Sequence, residues 1–366
     1  MMDRRRFLAL GSRALIGGIA AHAIGGLAHP QAHAQRSSRG GTAAGTAAGT
    51  AAGALAQETA VSLPVLDKLQ GRATGRVAIA RDLIPAGRAI ASSSDALPVE
   101  RVSARLEAAV RALLGNDPWP QLVRPDDTVA IKINGLAAGR LSPRPELVEA
   151  IARALIAAGV APGRIIVWDR TSREVEGSGF PLQTADGAVR HYGTDALRDG
   201  YGRDLETSGS VGSLVTRILR EYATVLVNVG VLKDHDLCGV SAGMKNLYGA
   251  IHNPNRYHAN GCDPFVAEVA ALPSIRARLA LTVIDGAIGQ AEAGPAFAPA
   301  WIWPCDALLA ACDPVACDRV AWDLIEARRG ELGLPSLAEA GRAPRWIETG
   351  ARLGLGRAEG IARVEV

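Results

Sequence analysis

Residues 128–134 read TVAIKIN and residues 164–169 read RIIVWD, and apolar side chains recur at helical spacing in residues 146–158 between them. Two short apolar runs joined by such a helix are typical of a strand–helix–strand unit with parallel strands. Similar runs follow at residues 224–231 (TVLVNVGV) and 280–285 (ALTVID). The sequence therefore predicts an α/β fold with a mostly parallel sheet and helices on both faces.

Weaker patterns extend this prediction in both directions along the chain. Further strands are expected at residues 77–80 and 307–311, and further helices at residues 102–114, 213–221, 240–251 and 314–328. Residues 172–212 are rich in Gly, Asp and Arg and show little periodicity. We expect them to form a polar insertion after Asp169, either a lid or a small subdomain.

The N-terminal region differs from the rest in composition. Residues 35–75 contain the run GTAAGTAAGTAAG, which has no charge and no large side chain to bury, so we interpret them as a low-complexity linker. From residue 76 to residue 366 the composition is that of a globular domain. The predicted organisation is therefore an N-terminal segment, a linker and one α/β domain.

Residues 3–8 (DRRRFL) resemble the twin-arginine translocation motif. A mildly apolar stretch at residues 14–28 and a small-residue site at Ala32-His33-Ala34 follow in the order of an export signal. The resemblance implies a signal peptide of residues 1–34, the twin-arginine translocase as a partner during export, and a periplasmic mature protein that begins at Gln35.

The charge balance excludes some partners of the mature protein. The whole chain has 40 Lys and Arg against 37 Asp and Glu. Removal of the signal takes away four arginines and one aspartate, which leaves equal numbers of each sign. We therefore expect no nucleic-acid partner. Because no later segment has the unbroken apolar length of a membrane helix, we also expect no membrane span in the mature protein.

Polar residues mark the ends of the predicted strands. In chain order they are Lys132 and Asn134, then Asp169, then Lys233, Asp234 and His235, and finally Asp285. Ligands of open α/β sheets bind beyond the carboxyl ends of the strands. These side chains are therefore expected at one rim of the sheet, where they form a ligand site.

Lysine is scarce, and its positions favour an anion site. Of the four lysines in the chain, three (Lys132, Lys233 and Lys245) lie in or near the strand-end motifs. They are expected to surround a phosphate, sulfate or carboxylate, with Asn134 and Asn246 as hydrogen-bond donors and Asp169 beside them.

A metal site is the competing hypothesis. His235, His258 and Cys262 lie within one short stretch and offer imidazole and thiolate ligands that suit zinc, iron or copper. Their spacing matches no closed zinc module. For an enzyme, Lys245, His235 and Asp285 are the candidate catalytic residues.

Residues 240–251 are expected to be helical, which places Cys238, Ser241 and Lys245 on one face. Gly243 and Gly249 lower helix stability and indicate that another group approaches closely. The chain has five cysteines, all after the linker, so at least one is unpaired within the chain. Pairing of Cys312 with Cys317, or of either with Cys305, stays open.

These motifs together resemble the DUF362 family. The matching segments are IKIN (131–134), VNV (227–229) with Lys233 and His235, MKNLYG (244–249), His258, IDG (284–286), Gly294-Pro295 and DPVACD (313–318). The resemblance covers residues 77–328. It implies no settled activity, and it implies an association with iron–sulfur chemistry, because some members carry a ferredoxin-like module. This chain has no C-x-x-C-x-x-C run of that kind.

The sequence leaves three function classes open. The first is an exported enzyme that depends on a metal or redox cofactor bound at the rim of the sheet. The second is a non-catalytic carrier of an anionic ligand. The third is an assembly factor for another exported cofactor protein.

Overall fold

The computed structural model describes residues 73–366. The predicted signal peptide and nearly all of the predicted linker lie outside the described residues. Among the described residues, no helix is long and apolar enough to cross a membrane.

Eleven strands are found in residues 73–366, and nine of them form one sheet. They are β1 (Arg76–Ala80), β2 (Val129–Lys132), β3 (Ile165–Asp169), β4 (Arg190–Gly193), β5 (Glu206–Ser208), β6 (Val211–Ser213), β7 (Val225–His235), β8 (Gly239–Ser241), β9 (Leu279–Gln290), β10 (Ile302–Ala311) and β11 (Ala362–Glu365).

The large sheet is mixed and mostly parallel, with the order β11-β1-β10-β9-β7-β2-β3-β4, and β8 pairs with β7 at its side. The pairs β9/β7, β7/β2, β2/β3, β3/β4 and β1/β11 are parallel, and β10 is antiparallel to both of its neighbours. From β2 the chain proceeds outward to β3 and β4 and then returns to the other side of β2 as β7. The strand order thus reverses between β2 and β7, the place where open α/β sheets bind ligands.

The α-helices of residues 73–366 are α1 (Val99–Leu114), α2 (Pro145–Ala157), α3 (Ser172–Gly177), α4 (Phe265–Ala270), α5 (Pro273–Arg276), α6 (Pro314–Glu331) and α7 (Trp346–Arg352). Apolar side chains at helical spacing explain α1 and α2, which each bury one face. Helix α6 begins as predicted, with the Asp313 carboxylate accepting the Ala316 N–H and Pro314 in the first turn.

Two hydrophobic cores cover the two faces of the sheet. One contains buried residues of α1 and α2, such as Leu106 and Ile151, and the other contains residues of α6 and α7, such as Val320 and Trp346. Alternate residues of β2 enter different cores, since Ala130 packs in the second and its neighbours in the first. The predicted α/β fold with helices on both faces is therefore confirmed.

The prediction of a helix at residues 240–251 was wrong. Strand β8 occupies its first residues, and a 3-10 helix spans Met244–Ala250. Asp318 of α6 accepts the backbone N–H groups of Gly243 (2.6 Å) and Met244 (2.8 Å), which fixes the start of that turn. Cys238, Ser241 and Lys245 therefore do not share a helix face. Similarly, residues 213–221 end β6 and enter a π-helical turn, Ile218–Tyr222, instead of an α-helix.

Residues 172–212, predicted as an insertion, contain regular elements. Helix α3 follows β3 directly, and its N-terminus has a capping box between Thr171 and Glu174. Strand β4 then adds to the edge of the large sheet, and β5 pairs with β6 outside it. A role of this segment as a lid stays a prediction.

The cysteines pair differently from the combinations considered from the sequence. Cys238 and Cys262 form a disulfide, and Cys305, Cys312 and Cys317 are free thiols. Burial raises the pKa of the Cys305 thiol to about 11 and that of Cys312 to about 12, so both are inert small side chains.

Candidate functional site

A cavity of about 470 Å³ opens beyond the carboxyl ends of β2, β3 and β7. Its volume falls in the usual range of small-molecule sites. Seven of the residues singled out from the sequence line it: Lys132, Asn134, Asp169, His235, Lys245, Asn246 and His258. Parallel strands bring their ends to one rim, so residues distant in sequence meet there.

The ammonium of Lys132, at the end of β2, donates all of its hydrogen bonds to acceptors of the protein. Its Nζ lies 2.5 Å from Asp169 Oδ1, 2.6 Å from the Ile133 carbonyl and 3.2 Å from Asn246 Oδ1. Asp169 also accepts the Gly135 and Arg170 backbone N–H groups. Because an ammonium has three protons, Lys132 has none left for a ligand. The Lys132–Asp169 pair forms the floor of the cavity.

Asn246 is held in place from the opposite side. Its Nδ2 donates to Asn228 Oδ1 (2.9 Å) and to the Val229 carbonyl (3.2 Å), while its Oδ1 accepts from Lys132. Asn228 in turn donates to the Gly243 carbonyl. Asn246, predicted to bind a ligand, therefore ties the 3-10 turn to β7 and to the floor.

Two glycines make this packing possible, as the sequence indicated. A Cβ on Gly249 would lie 2.7 Å from Lys132 Nζ and 2.8 Å from Asp169 Oδ1. A Cβ on Gly243 would lie 2.8 Å from Asp318 Oδ1. Any side chain at these positions displaces the groups that form or hold the floor.

Lys233 on β7 is completely buried behind the cavity and does not line it. Its Nζ donates to Asn134 Oδ1 (3.2 Å) and to the Pro295 carbonyl (3.3 Å). Both acceptors are neutral, and burial lowers the pKa of Lys233 to about 8. By engaging Oδ1, Lys233 fixes the Asn134 amide so that Nδ2 is the group left for another partner.

Lys245 differs from Lys132 and Lys233 because it has no hydrogen-bond acceptor among the described residues. Its side chain is 9% exposed, and its Nζ lies 4.0 Å from the centre of the Tyr248 ring. It makes no hydrogen bond or ion pair with any residue in 73–366. Burial, aided by the charges of Lys233 and Lys132, lowers the pKa of Lys245 to about 7. An amine that is partly neutral at physiological pH thus faces the cavity.

His235 at the end of β7 presents an N–H to the cavity. Its Nδ1 accepts the backbone N–H groups of Leu237 (3.2 Å) and Cys238 (3.3 Å), and burial lowers the pKa of the ring to about 2. The ring is therefore neutral with its proton on Nε2. The Asp236 carboxylate, 3.0 Å from the same Nδ1, consequently forms no ion pair with it.

His258 and Tyr248 complete the wall beside Lys245. The His258 ring stacks on His235 at 5.9 Å between ring centres and meets the Tyr248 ring edge-on at 5.4 Å. Burial also lowers the pKa of His258, so both imidazoles are neutral at pH 7. The Tyr248 hydroxyl donates to the Tyr257 carbonyl (2.7 Å) and is not available to a ligand.

Four donor groups around the cavity lack an acceptor among the described residues. They are Lys245 Nζ, Asn134 Nδ2, His235 Nε2 and Ser241 Oγ. Each side chain is at least nine-tenths buried. Their residues line the cavity, so these four donors are free to bind an acceptor that enters it from outside the chain.

A family model with the description "Domain of unknown function (DUF362)" matches residues 129–323, more than half of the chain. The chain belongs to the DUF362 family. The match contains the floor, the wall of the cavity and the glycines that support them. No curated protein matches the chain.

The DUF362 domain does not bring every predicted residue to the cavity. Asp285 lies within β9, is 3% exposed and does not line the cavity. Its carboxylate accepts the Arg144 backbone N–H (2.9 Å) and the Arg144 Nε (3.0 Å). In this structure Asp285 joins β9 to the start of α2, and its predicted catalytic role has no contact that supports it.

The ligands for a metal ion are incomplete in this DUF362 structure. Within residues 73–366 the one cluster of metal-ligating atoms is that of His235, Cys238 and His258. The Cys238 sulfur is bonded to Cys262, and the His235 Nδ1 lone pair is occupied by two amide protons. The predicted ligand Cys262 is likewise not a free thiolate. The residues present therefore do not fit a metal ion in the disulfide form.

Several residues of the DUF362 site carried no assigned role in the sequence. Asp318 holds the turn that carries Lys245, Tyr248 packs against the Lys245 amine, and Asp236 lies at the cavity mouth. The sequence DPVACD contained Asp318 as part of the family resemblance. Its function as an acceptor for a turn some 75 positions earlier had no local signal.

Proposed function

We propose that this DUF362 protein is exported and binds a small anionic molecule in the cavity at the carboxyl ends of β2, β3 and β7. The observation that carries the proposal is a set of four donors that face the cavity and have no acceptor among the described residues: Lys245 Nζ, Asn134 Nδ2, His235 Nε2 and Ser241 Oγ. A carboxylate or phosphate offers the acceptors that such a set requires.

The balance of charge near the cavity favours an anion. Asp169 is paired with Lys132, and Glu174 is paired with Arg170. Lys233 and Lys245 have no carboxylate within ion-pair distance in the described part of the chain. Burial of an ammonium without a counter-charge is costly, and an anionic ligand removes part of that cost. Asp236, the remaining acid at the mouth, is 61% exposed and is screened by water.

The proposal is tested by isothermal titration calorimetry of the mature protein with lactate, phosphate and sulfate. We expect at least one of them to bind, and we expect Lys245→Met to weaken that binding about 100-fold, since truncating one partner of a buried charge pair costs about 2–5 kcal/mol. Arg203→Met is the control, because Arg203 is exposed and does not line the cavity. Equal affinities of wild type and Lys245→Met would contradict the proposal.

The export part of the proposal rests on residues 3–8 and the cleavage site at Ala32-His33-Ala34. We expect Gln35 as the N-terminal residue of the protein recovered from the periplasm. Replacing Arg4 and Arg5 by lysine should leave the precursor in the cytoplasm. Equal periplasmic recovery of the two forms would contradict export by the twin-arginine route.

A metal-dependent function is the second candidate, supported by one observation. The ligand atoms of His235, Cys238 and His258 lie within 4.8 Å of one another. Reduction of the disulfide by a dithiol would release the Cys238 thiolate. Metal analysis of the protein with and without that reduction tests this candidate, which predicts zinc or iron only in the reduced sample and none in reduced His258→Ala.

A further inference from the structure

The cavity presents a primary amine whose surroundings differ from those of an ordinary anion-binding lysine. Lys245 Nζ has an aromatic ring at 4.0 Å on one side and the cavity on the other, with no acceptor from the described chain. Lys132, on the same rim, has three acceptors. Of the three lysines in residues 73–366, only Lys245 therefore has both the access and the free nitrogen that a covalent reaction requires.

We infer that the ligand is a small carbonyl compound with an anionic group, such as a 2-oxo acid, and that Lys245 Nζ forms a Schiff base with its carbonyl carbon. The inference rests on the proposed function, because the anionic group occupies the same donors. Asn134 Nδ2, His235 Nε2 and Ser241 Oγ bind the carboxylate. The carbonyl carbon then faces the amine.

The charged groups around Lys245 favour its neutral, nucleophilic form. Lys233 on β7 and Lys132 on β2 repel a proton on Nζ, and Asp236 in the turn after β7 attracts one. His235 and His258 are neutral neighbours. Desolvation is the main cause that lowers the pKa of Lys245 to about 7, and the two lysine charges add to it. Desolvation and a nearby cation are the two devices that activate lysine as a nucleophile.

The proposed reaction balances without an oxidant or reductant. The Nζ lone pair forms the C–N bond while the carbonyl π pair moves to oxygen. One proton passes from nitrogen to that oxygen, and a second comes from solvent by way of His258, whose partly exposed ring lines the cavity. The oxygen leaves as water, and the nitrogen keeps one proton in the resulting iminium ion.

Reductive trapping tests the inference. Mature protein is incubated with pyruvate and sodium cyanoborohydride, and the adduct is located by peptide mass spectrometry. We expect Lys245 to be labelled at least tenfold faster than Lys68, the lysine outside the described residues, with a rate that rises as pH increases through about 7. Lys245→Arg keeps the positive charge and should give no adduct in the same peptide.

Lactate separates the two proposals, because it has the size and charge of pyruvate without the carbonyl. Binding of lactate and pyruvate with equal affinity and no adduct at Lys245 would overturn the Schiff base and leave the anion site standing. Failure of both to bind, together with no adduct, would overturn the Schiff base, and it would overturn the anion site as well if phosphate and sulfate also failed to bind. Labelling of Lys68 and Lys245 at equal rates would mean indiscriminate amination and would also overturn the inference.

Discussion

Lys132 and Lys245 line the same cavity under opposite conditions. The ammonium of Lys132 has three protein acceptors, one of them a carboxylate at 2.5 Å, whereas Lys245 has an aromatic ring and no acceptor in the described chain. The floor around Lys132 therefore stabilises the fold, whereas the amine of Lys245 faces the cavity and is free to bind a ligand. A lysine with a lowered pKa in a cavity is a candidate for ligand binding.

The largest loss of stability is expected from breaking the Lys132–Asp169 ion pair in the floor of the cavity. Asp169→Asn removes the counter-charge of a buried ammonium, and breaking a buried ion pair in this way should lower the free energy of unfolding by about 3 kcal/mol. Urea denaturation measures the change. Asp236→Asn, which removes an exposed carboxylate from the same rim, should change it by less than about 0.5 kcal/mol. Comparable losses of unfolding free energy in the two variants would show that the Lys132–Asp169 pair does not stabilise the fold more than an exposed carboxylate does.

The second-largest loss of stability is expected from the addition of one methyl group at Gly249. Gly249→Ala places a Cβ 2.7 Å from Lys132 Cε and Nζ, so it should destabilise the protein by about 2 kcal/mol through overpacking. Gly330→Ala near the end of α6 meets no atom within 4 Å and should stabilise by about 0.5 kcal/mol. The thermal midpoints of the two variants give the comparison, and a neutral Gly249→Ala would contradict the tight packing of the floor.

The affinity for the anion should depend on pH through Lys245. Its pKa is about 7 in the free protein, and a bound anion raises that value, so binding is strongest below pH 7 and weakens as pH rises. We expect a decline of up to tenfold per pH unit just above pH 7 in calorimetric titrations with lactate. Lys245→Arg stays charged and should flatten this dependence. A pH-independent affinity of the wild type would exclude Lys245 as the titrating group.

The last effect has the opposite sign from the first. Lys245→Met removes a desolvated amine and should raise the free energy of unfolding at neutral pH, by an amount that decreases as the pH approaches 10.5. The unfolded chain binds the Lys245 proton up to the ordinary value of 10.5, and the folded chain loses it near 7. Stability of the wild type therefore rises with pH across that window, and its deficit relative to Lys245→Met should vanish near pH 10.

Lys132→Met serves as the matched comparison for that variant. It leaves Asp169 buried without its cation and should destabilise the protein, although Asp169 keeps two backbone donors. Stabilisation by Lys132→Met, or destabilisation by Lys245→Met, would remove the distinction between the floor and the wall.

The sequence was sufficient to predict the rim but not the roles within it. Residues at or just after the ends of 128–134, 164–169 and 224–231 meet at the cavity, because parallel strands end at one edge. The close approaches at Gly243 and Gly249 were also predicted, and the structure confirms them.

The roles of the individual side chains depend on contacts between residues far apart in the sequence. Asn246 reaches Lys132 across 114 positions, and Arg144 engages Asp285 across 141. No local pattern predicts such partners. A lysine with protein acceptors, such as Lys132, therefore cannot be told from one without them, such as Lys245, by the sequence alone. The expected helix at residues 240–251 failed for the same reason, since its start is held by Asp318 and its end is packed against the floor.

The pKa of Lys245, measured by NMR of lysine-labelled protein with and without lactate, tests the central claim most directly. The chain has four lysines, so the signals are few, and Lys245→Arg assigns the relevant one. We predict a pKa near 7 in the free protein and a clear increase when the anion is bound. A pKa near the ordinary 10.5 that lactate, phosphate and sulfate all leave unchanged would contradict the claim that this wall of the cavity binds an anion.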